Sequence, residues 1–323
     1  MKAVICTKYG PPDVLKLEEV EKPTPKDNEV LIRINATTVT SGDSRIRQAD
    51  LFLIRLIFGF TKPRNNILGG NFAGTVESIG NDVTLFKEGD QVFGSTGMSF
   101  GSYAEYKCLS ENEVLAKIPS NMNYNESTAV IFGGLTALSF LQKAGIKSGQ
   151  KVLVYGASGA VGTAAVQLAK YFGAEVTGVC SDANIDLVKS LGASKVIDYK
   201  KEDFSETDEL YDIVYEAVGK TSISKGKKIL KKNGIYIGGA SGLLKGFSQL
   251  LWTAITSNKK IITGIAEEST ENLVLLRDII ENGDFKAVID KTYPLEEIVE
   301  AHTYVDKGHK TGSVVVTLAE LRN

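Results

Sequence analysis

Histidine is the scarcest chemically versatile residue in this chain: among 323 residues only His302 and His309 occur. Seven positions apart, they would stand about 10 Å apart along a helix at about 1.5 Å of rise per residue, too far to share one metal ion through short imidazole arms. The expectation is two partly exposed histidines near the C-terminus. A Ser-His-Asp hydrolase would have to recruit one of them, and no G-x-S-x-G segment presents a serine nucleophile, so hydrolysis is set aside. Cysteine is nearly as rare. Cys6, Cys108 and Cys180 are widely spaced and form no C-x-x-C, which leaves no readable disulfide framework or zinc knuckle and fits a reducing, cytoplasmic setting.

Excess charge and long apolar runs are also missing. With 37 Lys plus Arg against 39 Asp plus Glu, the formal charge of -2 gives no field for nucleic acid or an anionic membrane. No nucleic-acid partner is expected. The most apolar stretch, LFLIRLIFGF at 51–60, contains Arg55, and a membrane-spanning helix needs about 20 apolar residues, so no transmembrane segment is expected. The opening MKAVICTKYGPPDVL reads as a strand and a turn and lacks the apolar core and cleavage signal of a secretory peptide. Internal repeats and low-complexity tracts are absent, and proline is sparse, which excludes fibrous and disordered classes.

The length gives two domains at roughly 150 residues each. Residues 1–120 are short β-branched runs (KAVICT, KLEEV, EVLIRINATTVT, AGTVESIG, QVFGS, SYAEYKCL) broken by Gly, Pro, Asn and Asp, the pattern of an irregular, mostly antiparallel β domain. From about 124 the texture changes. STAVIFGGLTALSFLQKAG reads as a helix; then apolar strands (KVLVYG, EVTGVC, KVIDY, YDIVYEAVG, GIYIGGA) alternate with helices over 159–172, 183–191 and 221–232. That alternation predicts a doubly wound parallel sheet. A helix, ENLVLLRDIIENG, follows, and the terminal strand SVVVTL is expected to return to the first domain. The organisation read from this is 1–123 with 267–323 as one discontinuous domain and 124–266 as the second. Lys225, Lys227, Lys228, Lys231 and Lys232 fall around one expected helix, as a solvated helix end would.

The strongest motif is KVLVYGASGAVGTAAVQLAKYFGAEVTGVC at 151–180. Gly156, Gly159 and Gly162 form G-x-x-G-x-x-G directly after a strand and open a helix, the context a dinucleotide fingerprint requires. Glycine permits the tight turn, brings the backbone close to a pyrophosphate, and lets helix pack on strand. The free N–H groups of Ala160 and Val161 and the helix dipole would face the anion. NAD and NADP part at the end of the second strand, where an acid would repel a 2′-phosphate. Here that slot is Cys180, followed by Ser181; it is uncharged and favours NADP, while Asp182 two residues on keeps NADH open.

These residues resemble the medium-chain dehydrogenase/reductase superfamily, in its zinc-free quinone oxidoreductase branch. The resemblance covers essentially the whole chain and is carried by the opening segment, LGGNFAGTVESIG (68–80), FKEGDQVFG (86–94), GSYAEY (101–106), GGLTAL (133–138), the glycine loop and GHKTGSVVVTL. It implies a GroES-like β domain for catalysis and a Rossmann domain for the coenzyme. At the positions where zinc members carry their metal ligands stand Thr40, Gly70 and Phe132, and QVFGSTGMSFGSYAEY runs straight through the place of the structural zinc lobe, so no zinc is expected. Without a Lewis acid worth several kcal/mol, the acceptor must itself delocalise the incoming electron pair, as a quinone or conjugated enone does.

The resemblance further implies roles. Thr136 would contact the nicotinamide end. Gly156, Ser158, Gly159, Ala160, Val161 and Gly162 would hold the pyrophosphate, and Ser181, Tyr199 and Lys200 would border a 2′-phosphate, with Asn184 where the branch often has lysine. Thr40, Asp43 and Asn71 would lie around the acceptor, and Arg45 replaces a tyrosine of several relatives, leaving solvent to protonate the product. Residues 49–66 would form a lid over an apolar acceptor, a peripheral helix or an interfacial one. An enoyl-thioester reductase and a non-catalytic nucleotide-binding protein remain alternatives. A homodimer through KKIITGI (259–265) is expected by the same resemblance.

Overall fold

The computed structural model describes residues 1–50, 52–238 and 259–318, and it divides into two compact units. One comprises Met1–Phe132, Glu268–Glu281 and Ala287–Asn323; the other comprises Gly133–Glu267 and Asn282–Lys286. Gly239 and Ala240 of the expected GIYIGGA strand lie outside the described residues, as does Leu51.

The first unit is built on β-branched strands. β1 (Lys2–Cys6) pairs antiparallel with β2 (Leu15–Glu19). β3 (Glu29–Val39) is the long central strand of a seven-stranded sheet that also contains β4 (Asn71–Ile79), β5 (Gln91–Ser95), β6 (Tyr106–Ser110) and β7 (Leu115–Lys117). The sheet is antiparallel except for β14 (Ile289–Pro294) beside β15 (Ser313–Thr317). β15 pairs with β3, so the terminal SVVVT run joins the N-terminal sheet. Val30, Ile32, Ile34, Phe72, Val76 and Val92 form a core between strands, each below a tenth exposed, which is what β-branched and aromatic residues on a pleated face stabilise.

In the second unit α3 (Tyr124–Lys143) enters from the first. A six-stranded, all-parallel sheet follows, in the order β10-β9-β8-β11-β12-β13: β8 (Lys151–Tyr155), β9 (Glu175–Cys180), β10 (Lys195–Asp198), β11 (Tyr211–Glu216), β12 (Leu230–Gly238) and β13 (Lys260–Thr263). The order reverses between β8 and β11, the switch point at which such sheets take ligands. α4 (Ala160–Tyr171), α5 (Ile185–Ser190) and α6 (Ile223–Lys228) connect the strands. The fold is thus the antiparallel-rich domain plus doubly wound parallel sheet read from the sequence.

Two expectations need correction. Lys231 and Lys232 are not on a helix: α6 stops at Lys228, Leu230 already pairs with Tyr211, and Asn233 turns the chain at φ 65°. Buried Ile229 and Leu230 are drawn into the core before the helical pattern is exhausted. His302 is not partly exposed. It lies fully buried on α8 (Ile298–Asp306), whose Ile298, Ala301 and Val305 face the core, whereas His309 is exposed.

His302 accepts at Nδ1 from Arg47 Nε at 3.3 Å. Arg47, itself fully buried on α1 (Ser41–Gln48), also donates to the Asp306 carboxylate at 2.5 Å and to the Gly10 carbonyl. Removing one partner of a buried charged cluster is costly because the others remain desolvated. Between α1 and β4, α2 (Phe52–Phe58) leaves Phe52, Leu56 and Ile57 exposed, with Phe60 exposed beyond it, while Phe58 packs on Phe100 with ring centroids 5.5 Å apart.

Burial, aided by the Arg47 charge, pushes His302 down to about 3. A free histidine ionises near 6.5, so below that pH the unfolded chain takes up a proton that the folded one refuses, and stability falls as pH drops from about 6.5 towards 3. His302→Asn, which keeps an acceptor for Arg47, is expected to flatten the dependence by about 1.4 kcal/mol per pH unit. Urea unfolding at pH 6.5 and 5.0 measures the difference between the two slopes.

Candidate functional site

The parallel sheet presents the glycine turn at the end of β8. Gly156 adopts φ +80°, and a Cβ there would collide with the Val218 side chain. The N–H groups of Gly156 and Ala157 both donate to the Val179 carbonyl at 3.0 Å, locking the turn onto β9. Gly162, in the first turn of α4, has no room for a Cβ against the Gly156 carbonyl oxygen. Helix and strand therefore meet backbone to backbone. Gly159 caps α4 with no side-chain acceptor, so the first N–H groups and the positive end of the helix dipole are left for an anion. Ser158 lies half-buried in the same turn. Gly133 of α3 was not singled out from the sequence, yet a Cβ on it would strike the Ala160 carbonyl. The GGLTAL run was its only signal. One turn further, Thr136 is buried on α3.

Sequence reasoning also missed Glu216. Fully buried at the end of β11, its carboxylate accepts from the N–H groups of Val218 at 3.0 Å, Gly219 at 2.7 Å and Lys220 at 3.3 Å. Burial pushes this carboxyl up and those backbone donors pull it back. The loop it gathers carries Val218, the side chain seated against Gly156.

At the end of β9, burial, with the Asp198 charge, raises the Cys180 thiol to about 11, so it stays neutral. Ser181 caps the short turn that follows, with Asn184 Nδ2 at 3.4 Å from its hydroxyl. Asp182 is exposed, and its carboxylate pairs with Lys201 at 3.2 Å. Past β10, the Tyr199 N–H donates to the Cys180 carbonyl at 3.1 Å. A cavity of about 490 Å³ opens here, with Tyr155, Tyr199, Lys200, Lys201, Lys220 and Lys225 in its wall. Its lining residues end β8 and follow β10 and β11 around the switch point. The structure thus brings Tyr199 and Lys200 to one cavity, while Ser181 and the glycine turn are outside its lining.

Thr40, Asp43 and Asn71 all belong to the first unit and share one buried network. Thr40 caps α1: its N–H and hydroxyl donate to Asp43 Oδ2 at 2.8 and 2.5 Å, and the Asp43 N–H returns a bond to the Thr40 hydroxyl at 3.1 Å. Burial raises the Asp43 carboxyl, against the donors from Thr40 and the Gly69 backbone. The Tyr103 hydroxyl touches Asp43 and donates to the Thr38 carbonyl at 3.4 Å, while Asn71 Nδ2 donates to the Thr38 hydroxyl at 3.1 Å. Arg45 is exposed on α1. Beside Asn71, a Cβ on Gly70 would meet nothing within 4 Å. Among the described residues no three His, Cys, Asp or Glu side chains converge as metal ligands do, and no helix is long and apolar enough to cross a membrane.

Known proteins match this arrangement over nearly its full length. The Alcohol dehydrogenase GroES-like domain family matches residues 26–120 and the Zinc-binding dehydrogenase family residues 191–316. The chain is 35% identical to the 2-methylene-furan-3-one reductase of Solanum lycopersicum, over 98% of this chain and 79% of that protein. The chain belongs to the medium-chain dehydrogenase/reductase superfamily. Within that superfamily it is 31% identical to the NADPH-dependent alkenal/one oxidoreductase, chloroplastic, of Arabidopsis thaliana, over 98% of this chain and 79% of that one. The quinone oxidoreductase of Coxiella burnetii superposes with a TM-score of 0.89 at 28% identity, covering 99% of each chain.

The glycine turn yields a direct test of its packing. Gly156→Ala combines a left-handed φ with a collision and is expected to lose about 3 kcal/mol. Gly89→Ala, at φ +85° with nothing near its Cβ, is expected to lose about 1 kcal/mol from backbone strain alone. Chemical denaturation of both variants gives the difference.

Proposed function

We propose that this chain is a zinc-independent, NADPH-dependent reductase that delivers hydride to a quinone or to the conjugated C=C bond of an α,β-unsaturated carbonyl. One observation carries the proposal: a turn whose Gly156 and Gly162 have no room for a Cβ stands on the same sheet as a lysine-lined cavity at the switch point. A pyrophosphate needs the first feature and a 2′-phosphate the second. The printed activities of the relatives, reduction of a methylene-furanone and of alkenals and enones with NADPH, and of quinones, support the same class of acceptor.

The residues present fit the coenzyme. Gly156, Ser158, Gly159, Ala160, Val161 and Gly162 would take the pyrophosphate on backbone N–H groups. Tyr199 and Lys200, with Ser181 beside them, would take the adenosine 2′-phosphate, and Thr136 the nicotinamide end. Asp182, the acid that could repel that phosphate, has its charge offset by Lys201, which favours NADPH over NADH. When bound, NADPH supplies the hydride. Thr40, Asp43 and Asn71 would border a small apolar acceptor, the buried Asp43 fixing the Thr40 hydroxyl. Such an acceptor spreads the arriving charge over its own conjugated atoms, so hydrogen-bond donors suffice.

Further parts of the proposal concern assembly and place. The coenzyme-binding half is assigned to 124–266 and the catalytic half to 1–123 with 267–323. β13 ends the described six-stranded sheet, and its outer edge, which has no strand partner among the described residues, would join a second copy in a homodimer. Three unpaired cysteines fit a reducing cytoplasm.

NADPH consumption with 1,4-benzoquinone, an α,β-unsaturated ketone and an enoyl-CoA in parallel tests the assignment. Turnover of the first two is expected, and a preference for the third would transfer it to enoyl-thioester reduction. Lys200→Glu is expected to raise the KM for NADPH about tenfold, the loss of one charge-assisted phosphate contact, and to leave that for NADH nearly as it was. An equal rise with both coenzymes would remove Lys200 from the phosphate site.

A further inference from the structure

Glu268 and Ser95 make a contact that none of the assignments above uses. Ser95 ends β5, and Glu268 lies just before α7 (Thr270–Glu281). Their Oε2 and Oγ atoms are 2.5 Å apart. The Ser95 hydroxyl also lies 3.2 Å from the Gly70 carbonyl and accepts the Gly97 N–H at 3.0 Å. Gly70 precedes Asn71 and has open space where a side chain would project.

Counting protons decides the state of this pair. A serine hydroxyl has one proton to donate and two lone pairs to accept with. Were Glu268 ionised, that single proton would face two acceptors, the carboxylate and the Gly70 carbonyl. With Glu268 protonated every atom is served: Glu268 donates to Ser95, Ser95 donates to Gly70, and Gly97 donates to Ser95. Burial independently pushes the Glu268 carboxyl up, with the Ser95 hydroxyl opposing.

Charged groups on the neighbouring elements are engaged with other partners. Glu267 pairs with Lys143 at 3.4 Å, Lys117 of β7 pairs with Asp90 at 3.1 Å, and Glu271 accepts from its own backbone and from Ser269. Glu113 takes the Thr270 hydroxyl on its main-chain oxygen.

We infer that Glu268 and Ser95 form a proton relay that completes enone reduction. The inference rests on the reductase assignment and on Asn71 bordering the acceptor. Hydride addition at the β-carbon moves the C=C electron pair into an enolate. The Ser95 O–H bond breaks and its proton forms the new C–H bond at the α-carbon; the Glu268 carboxyl proton passes to Ser95 Oγ, and water reprotonates the carboxylate. The enone gains one hydride and one proton, and the relay returns to its starting state. Solvent is then not the immediate proton donor expected from the sequence.

The test compares an α,β-unsaturated ketone with 1,4-benzoquinone, because reduced quinone takes its protons on oxygen, which water supplies, whereas the enone needs one on carbon. Full-length wild type, Glu268→Gln and Ser95→Ala are followed across pH by NADPH absorbance, with NADPH dissociation constants from coenzyme fluorescence. The expected result is an enone-to-quinone ratio of kcat lowered about a hundredfold in both variants, the size of a general-acid contribution. The wild-type enone kcat should also fall as pH rises and Glu268 ionises, a limb missing from Glu268→Gln, with NADPH dissociation constants the same in all three proteins. Equal losses with both acceptors mark a structural role and overturn the relay, as does an unaltered ratio. Should Glu268→Gln fail to fold, Ser95→Ala and the wild-type pH profile decide. A wild type that reduces neither acceptor defeats the reductase assignment itself, and shows as absent quinone turnover before any variant is made.

Discussion

The backbone-to-backbone contact between Gly162 and the Gly156 carbonyl is the constraint on which the glycine turn of the second unit depends. It forces α4 onto β8 without an intervening side chain, so the helix begins at the strand end with its N–H groups pointing outwards. Gly133 brings α3 in against the same first turn, and Val218 closes the turn from the other side. Val218 is held in place by a carboxylate: Glu216 collects the backbone donors of the loop that follows β11 and folds it. The turn proposed to take the pyrophosphate is therefore assembled from steric exclusion and one buried acid.

In the antiparallel half the organising feature is polar. Asp43 ties down the first turn of α1, and Tyr103 links it to the strand carrying Thr38, to which Asn71 also bonds. Arg47 fastens the other end of α1 to α8 and to the segment around Gly10. Both ends of α1 are thus tied down, which orders the residues that would face an acceptor. The same burial that pushes His302 down raises the Asp43 carboxyl.

The glycine turn, the alternation of strands and helices, and the late return of the C-terminal strand were legible in the sequence because each is a local pattern: glycine spacing, apolar periodicity, a run of valines. What escaped it was long-range. Arg47 meets His302 across 255 positions and Ser95 meets Glu268 across 173, and no local pattern encodes a partner at that distance. Glu216 escaped because an acid ending an apolar strand reads as an ordinary solvated terminus. Lys231 and Lys232 were placed on a helix because a run of lysines carries no periodic signal, and the buried Ile229–Leu230 pair ended the helix early. Thr40, Asp43 and Asn71 came from resemblance; Tyr103 and Thr38, which join them, lie in quoted segments, but no local pattern shows that they bond to one another.

The central claim is that the acceptor, and not a bound cation, absorbs the negative charge that hydride brings. It is tested most directly by identifying the product formed from an α,β-unsaturated ketone and NADPH in a preparation whose metal content is measured on the same sample. The account predicts the saturated ketone, formed at full rate with far less than one equivalent of transition metal per chain. An allylic alcohol as product, or a rate that rises in proportion to bound metal, would contradict it.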